Sequence, residues 1–167
     1  MLLATHDIRL IPVDSSHRQV FIALANIPEI NRRVNKPFPY LENHFDELLK
    51  AKPAGILHNW MIEKSGNMAG VVNIAALRHP QVFQGGYWLF PEYWGRNIAT
   101  SALTLVRDFV LEHYNAQRLQ ALVEADNIAS MRVLEKCGYV REGLLRKFYP
   151  SPTRDLIDVY MYAHVRG

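Results

Sequence analysis

Residues 84–102 read QGGYWLFPEYWGRNIATSA, and the fold turns on how this stretch is parsed. Tyr87-Trp88-Leu89-Phe90 is an apolar strand, and Pro91, which cannot donate to a sheet ladder, stops it. A loop follows, Tyr93-Trp94-Gly95-Arg96-Asn97, and a helix opens between Ile98 and Thr100. The first N–H groups of such a helix lack intrahelical acceptors, and the helix dipole adds partial positive charge there. Arg96 brings a formal charge to the same spot, so the turn is a candidate anion site. An ordinary strand-to-helix connection is the alternative.

Downstream, Ala102, Leu103, Val106, Phe109 and Val110 share one side of a helix over 100–114, opposite Arg107, Asp108 and Glu112. Asn115 is a plausible left-handed terminator. Leu119, Ala121 and Val123 alternate through a strand over 118–124, which a helical crossover makes parallel to the strand before it. A helix over 128–136 follows, capped by Asp126 or Asn127 and ended by Gly138. Two final strands, 139–145 and 155–165, flank a turn over 149–153.

Upstream, 58–64 and 68–77 read as strands around the hairpin turn Ser65-Gly66-Asn67, and a turn over 78–81 leads into the strand that contains Tyr87. Before them lie a short strand, 8–11, a helix from Asp14 or Ser15 to Ala25, a shorter helical turn over 28–34, and a helix over 42–51 ended by Pro53-Ala54-Gly55. Two prolines two residues apart keep 36–40 extended. The sum is a single α/β (α+β) domain over 1–167, with a mixed, mostly antiparallel sheet flanked by helices.

Composition narrows the function classes. The 167 residues suffice for one domain with a proper core. The net charge of +3 has no long basic run behind it, which suits an anionic small molecule and discounts nucleic acid despite a pI near 9.1. No apolar run approaches the ~18–20 residues of a membrane span, and MLLATHDIRL shows no signal-peptide pattern. The one cysteine, Cys137, fits a reducing compartment, so a cytoplasmic protein away from membranes is expected. The seven histidines show no metal-binding spacing, and no metal is expected.

Two strings carry a resemblance. Tyr87-Trp88-Leu89 with Tyr93-Trp94-Gly95-Arg96-Asn97-Ile98-Ala99-Thr100 resembles motif A of the GNAT superfamily of acetyl-CoA-dependent N-acetyltransferases. Asn127-Ile128-Ala129-Ser130-Met131-Arg132-Val133-Leu134-Glu135-Lys136-Cys137-Gly138-Tyr139, with Glu142-Gly143, resembles motif B. Both are most similar to the RimJ/RimL-like branch, which acetylates protein N-termini and has relatives that act on small amines.

The resemblance implies a splayed parallel strand pair, with Leu89 and Phe90 facing pantetheine. It implies backbone amides of Arg96, Asn97, Ile98, Ala99 and Thr100 around the pyrophosphate, and Asn127, Ser130, Arg132 and Lys136 as further cofactor contacts. Asn127 also reads as a helix cap, Ser130 as a local backbone bond, and Arg132 with Lys136 as an exposed basic face. Asn97 stands where the family pattern has a glycine, and Asn tolerates a positive φ better than other side chains. Asn97→Gly is therefore expected to tighten CoA binding.

For catalysis the resemblance makes Ser130 the donor to the leaving sulfur, with Tyr139 and Tyr149 behind it. A Glu that often serves as base in such sequences is Gln84 here, so the base falls to Glu124, Glu142 or Glu92, or to an ordered water. Each carboxylate has a solvated or structural alternative. Phe38, Tyr40, His44, Trp60 and Tyr149 are candidate walls of the acceptor cleft, with plain packing as the other reading. The implied function is transfer of acetyl from acetyl-CoA directly to a primary amine of a protein N-terminus or small molecule, CoA being the product. The alternative is a CoA-binding module that is catalytically weak or inactive. Homodimers are common among such proteins.

Overall fold

The computed structural model describes residues 1–51, 56–151 and 154–167. Its strands are β1 (Leu3–Ala4), β2 (Arg9–Pro12), β3 (Leu57–Lys64), β4 (Asn67–Ala76), β5 (Val82–Leu89), β6 (Arg118–Glu124), β7 (Val140–Tyr149) and β8 (Ile157–Val165). Its helices are α1 (Arg18–Ala25), α2 (Pro28–Asn31), α3 (Glu42–Lys50), α4 (Ile98–His113) and α5 (Ile128–Lys136). The strands form one sheet in the order β1-β2-β3-β4-β5-β6-β8-β7. Every neighbouring pair is antiparallel except β5 with β6. The expected mixed sheet is therefore present.

Local chemistry explains the element ends. Asp14 accepts from the backbone N–H of Ser16 and opens a 3-10 turn that runs into α1. Asn127 caps α5 by accepting from the N–H of Ser130 at 3.2 Å. Asn115, at φ 50°, takes the left-handed turn after α4. The proposed stop of α3 at Pro53-Ala54-Gly55 lies outside the described residues, as do Pro152 and Thr153 of the last turn.

Some expectations are corrected. The strand containing Tyr87 begins at Val82 and stops at Leu89, and β7 reaches Tyr149 instead of ending at Leu145. A two-residue strand, β1, was not expected; it pairs with β2 through Leu3–Leu10 and Ala4–Arg9.

Alternation along β5 divides the core. Phe83 and Leu89 pack with Ala102, Leu103, Val106 and Leu134 beneath α4 and α5. Trp88 packs with Phe21, Phe45, Met61 and Val71 beneath α1 and α3. Odd-numbered residues of β5 thus face one layer of helices and even-numbered residues the other, as a period-two strand requires.

The pairing of β5 with β6 is short. Val82, Phe83 and Gln84 pair with Arg118, Leu119 and Gln120, and the strands then part. Gly85–Leu89 stays on the β4 ladder while Ala121–Glu124 stays on β8, leaving a gap between two strands that belong to one sheet.

Candidate active site

The gap opens into a cleft of about 620 Å³, walled by Gly85–Leu89 of β5, Ala121–Glu124 of β6, the first turns of α4 and α5, and Glu29–Val34 around α2. Because α2 and the α4–α5 layer lie on opposite faces, the gap is a slot through the sheet. Backbone groups of β5 that face away from β4 have no peptide partner along it, which makes them donors and acceptors for an extended polar chain.

Two glycines shape the slot. A Cβ at Gly85 would lie 2.3 Å from the carbonyl oxygen of Asn73, so this position admits no side chain without moving β4. A Cβ at Gly86 would meet nothing within 4 Å. Its N–H is taken by the Asn73 side-chain oxygen at 3.1 Å.

At one end of the slot the chain turns into α4. Gly95 has φ 69° and Asn97, the residue before the helix, has φ 62° and ψ 8°. The expected left-handed Asn97 is therefore present, and its side chain makes no cap bond. Ile98, Ala99 and Thr100 supply the first N–H groups of a 16-residue helix, and Arg96 is exposed beside them. Trp94 lays its indole back on the loop and donates to the Leu89 carbonyl at 3.0 Å.

On the α4–α5 side, Tyr87 of β5 and Ser130 of α5 meet across the slot with their hydroxyls 3.1 Å apart. Burial pushes the Tyr87 hydroxyl up to about 12, an effect only partly offset by its bond to Ser130. Nothing in the sequence marked this pair, whose members are 43 residues apart.

On the α2 side, Glu124 ends β6 with 8% of its surface exposed. Arg33 donates to one of its oxygens and Arg154 to the other. Arg33 also reaches Asp126 at 2.8 Å, and this bond holds the Asp126 carboxyl below its usual range. Arg154 donates further to the carbonyl of Arg32 at 2.6 Å. Both oxygens of Glu124 are thus engaged by guanidinium groups.

A polar chain runs across the α1 face of the sheet where β5 and β6 begin to part. Arg118 binds Glu142 with two nitrogens, at 2.9 and 2.6 Å, and its Nε donates to Gln120 Oε1 at 2.9 Å. Gln120 Nε2 donates to Gln84 Oε1 at 2.9 Å. Arginine has no acceptor, so the direction of both amides is set: Gln120 accepts through its oxygen and donates through its NH₂, and Gln84 accepts through its oxygen.

The slot gathers Leu89, Ala99, Asn127, Ser130 and Glu124 of the expected site residues. Phe90 is not among its walls; its N–H is bonded to Ala69 and its ring packs in the α1–α3 core. Arg96, Asn97, Arg132 and Lys136 are exposed, outside the slot, and the last two project from α5. Glu142 sits on the edge strand β7, paired with Arg118 and apart from the slot, and Glu92 lies in the 3-10 turn at 91–93.

The proposed aromatic acceptor walls are corrected. Tyr40 and Trp60 are core residues, His44 binds the Leu41 N–H, and none of Phe38, Tyr40, His44, Trp60 or Tyr149 borders the slot. Glu29, Arg32, Arg33 and Val34 border it instead. Tyr139 is buried in the core, and Cys137 is buried with its thiol pushed up by that burial. Among the described residues no group of His, Cys, Asp and Glu side chains is placed to hold a metal, and no helix is long and apolar enough to cross a membrane.

A sheet parted after three pairs, with a helix N-terminus at the mouth of the gap, is the arrangement that the resemblance to the acetyltransferases implies. The profile of the acetyltransferase (GNAT) domain matches residues 7–140, and the chain belongs to that family. It is 36% identical over 78 residues to the uncharacterized N-acetyltransferase p20 of Bacillus licheniformis, a match that takes in 47% of this chain and 43% of that protein. The chain thus spans less than half the length of this curated relative. It is 23% identical to spermidine N(1)-acetyltransferase of Escherichia coli K12, over 96% of this chain and 89% of the relative. Its fold matches RimL, the ribosomal L7/L12 alpha-N-protein acetyltransferase solved with coenzyme A, at a TM-score of 0.83 and 20% identity over 99% of this chain and 98% of that one.

Proposed function

We propose that this protein transfers the acetyl group of acetyl-CoA directly to a primary amine, that of a peptide N-terminus or of a small molecule. The observation that carries this reading is the slot itself, with a β5 edge that has no strand partner beyond Gln84 and helix N–H groups at its mouth. The polar edge of β5 suits a pantetheine arm, which carries two amides. The N–H groups of Ile98, Ala99 and Thr100, with Arg96 beside them, suit a pyrophosphate. Arg132 and Lys136 extend positive charge along α5 towards a further phosphate.

Acetyl-CoA supplies a thioester whose sulfur leaves as the amine attacks. The protein holds the two reactants on opposite faces of one gap, and fixing two reactants in line is by itself a large part of a rate enhancement. Ser130 stands at the slot as a hydroxyl donor. Gln84 is a neutral amide whose oxygen already accepts from Gln120, and Glu124 is occupied by Arg33 and Arg154, so the proton of the attacking amine leaves through water. The lone buried Cys137 suits a reducing compartment and takes no part in the transfer.

The acceptor enters past Glu29, Arg32 and Arg33. This mouth mixes both signs of charge, in keeping with the zwitterionic end of a peptide at least as well as with a polycation. The second reading, a CoA-binding module that turns over slowly, draws on the absence of a carboxylate at Gln84.

Calorimetric titration with CoA and acetyl-CoA tests the reading. One-to-one binding that is lost when Arg96 and Asn127 are both changed to Ala is the expected result, followed by CoA release on a panel of amines and N-terminal peptides. Binding without turnover on any amine would leave the module reading; no saturable binding would overturn both.

A further inference from the structure

We propose that Tyr87 is a positioning residue that aims the Ser130 hydroxyl at the sulfur of the bound thioester. This rests on the acetyl-CoA reading of the slot.

Two hydroxyls carry two protons, and the 3.1 Å bond between them uses one. Among the described residues neither oxygen has another protein side-chain partner, and Ser130 does not fold its hydroxyl back onto the preceding turn of α5. The second proton of the pair is therefore free, and both residues wall the slot.

The order of the two hydroxyls follows from their acidities. A phenol is the better donor and an aliphatic hydroxyl the better acceptor, so Tyr87 donates to Ser130 and the proton left over belongs to Ser130. Accepting that bond also polarises the Ser130 O–H, since consecutive hydrogen bonds strengthen one another in a low-dielectric site. The helix cap fixes the other coordinate: Asn127 holds the Ser130 backbone N–H at 3.2 Å, so the serine cannot drift along the slot.

Burial keeps Tyr87 neutral across the working range, with its hydroxyl near 12. The pair therefore stabilises the leaving sulfur by a hydrogen bond and does not give up a proton. In the balanced step, nitrogen bonds to the acetyl carbon and the carbon–sulfur bond breaks with its electron pair going to sulfur. The proton shed by nitrogen passes through water and ends on that sulfur, which leaves as the thiol of CoA. No oxidant, reductant or further reactant is required.

The test reads the thiol of CoA bound to the intact protein, followed by thiolate ultraviolet absorbance across pH. An aimed hydroxyl stabilises the thiolate, so the bound thiol should titrate below free CoA in the wild type. That depression should vanish in Tyr87→Phe and in Ser130→Ala, and the double variant should be no worse than either single. Acetyl transfer by Tyr87→Phe should fall about tenfold in kcat with KM for acetyl-CoA unchanged, as expected for an interaction made mainly in the transition state.

A bound thiol that titrates the same in wild type and Tyr87→Phe would overturn the role of Tyr87 and leave the cofactor reading standing. Additive losses in the double variant would also overturn it. Failure of CoA to bind the wild type would overturn the cofactor reading, and this role with it.

Discussion

Arg33 and Arg154, 121 positions apart in the chain, grip the two oxygens of the same carboxylate, Glu124. The contact ties the α2 segment and the turn after β7 to the end of β6, at the α2 border of the slot. A carboxylate this buried is tolerated because each of its oxygens has a charged donor. Glu124→Ala should lower unfolding free energy by about 1–3 kcal/mol, read by urea denaturation, because it strands part of two guanidinium groups. Glu124→Gln keeps the shape, and with water as the base its pH–rate profile should retain its ascending limb. Loss of that limb would assign proton removal to Glu124.

The adjacent glycines of β5 should separate folding from binding. Gly85→Ala drives a methyl into the Asn73 carbonyl at 2.3 Å, and we expect a loss of about 1–3 kcal/mol with the β4–β5 ladder disturbed. Gly86→Ala meets no atom of the protein and should melt within a degree or two of wild type, by the ordinary scale of neutral surface changes. Since Gly86 borders the slot, the same change should weaken CoA or acceptor binding, seen by calorimetry. Equal melting of the two variants would contradict this account.

Asn97 holds a left-handed conformation that costs most L-residues about 1–2 kcal/mol. Asn97→Val should destabilise by about that amount and abolish CoA binding by displacing the first N–H groups of α4. Asn97→Gly relieves the strain and lets an anion approach the backbone of the turn more closely, so CoA should bind more tightly. Weaker binding by the glycine variant in a titration would refute the second half.

Stability should depend on pH through His58. Its imidazole stacks on Trp60 and meets the Tyr114 hydroxyl at 2.7 Å, and burial lowers its titration point below the ordinary 6.5. The unfolded chain then binds a proton that the folded one refuses. Stability is full above pH 6.5 and is lost as pH falls from there towards the folded value. Thermal melts between pH 7.5 and 5.5, an interval set about the reference histidine value, should show this fall, and His58→Phe should flatten it. A steeper fall in the variant would reverse the assignment.

Much of the site was legible because it rests on local chemistry. The cap at Asn127, the bounds of β6 and α5, and the left-handed Asn97 each follow from a few neighbouring residues. The start of β5 was hidden because Gln84-Gly85-Gly86 looks like a loop until β4 is laid against it. The length of β7 was hidden because it is an edge strand, exposed on both faces over most of its span and so without a periodic pattern. Tyr87–Ser130 and Arg33–Glu124–Arg154 join distant positions, and only the fold brings them together. The aromatic residues expected at the acceptor mouth misled for the opposite reason. Trp60 and Tyr40 are large and apolar enough to be claimed by the core.

The three-rung contact between β5 and β6 has a thermodynamic consequence. The two blocks of the sheet, β1–β5 and β6–β8, share fewer backbone bonds with each other than any other adjacent long strands share, so their cohesion leans on α4 packed across the join. A chain-like ligand laid in the gap supplies the missing rungs and becomes, in effect, a ninth strand that is not peptide. At a free concentration a hundredfold above its dissociation constant it would add about 2.7 kcal/mol to the folded state. Binding of such a ligand would complete the sheet, and its release would reopen it.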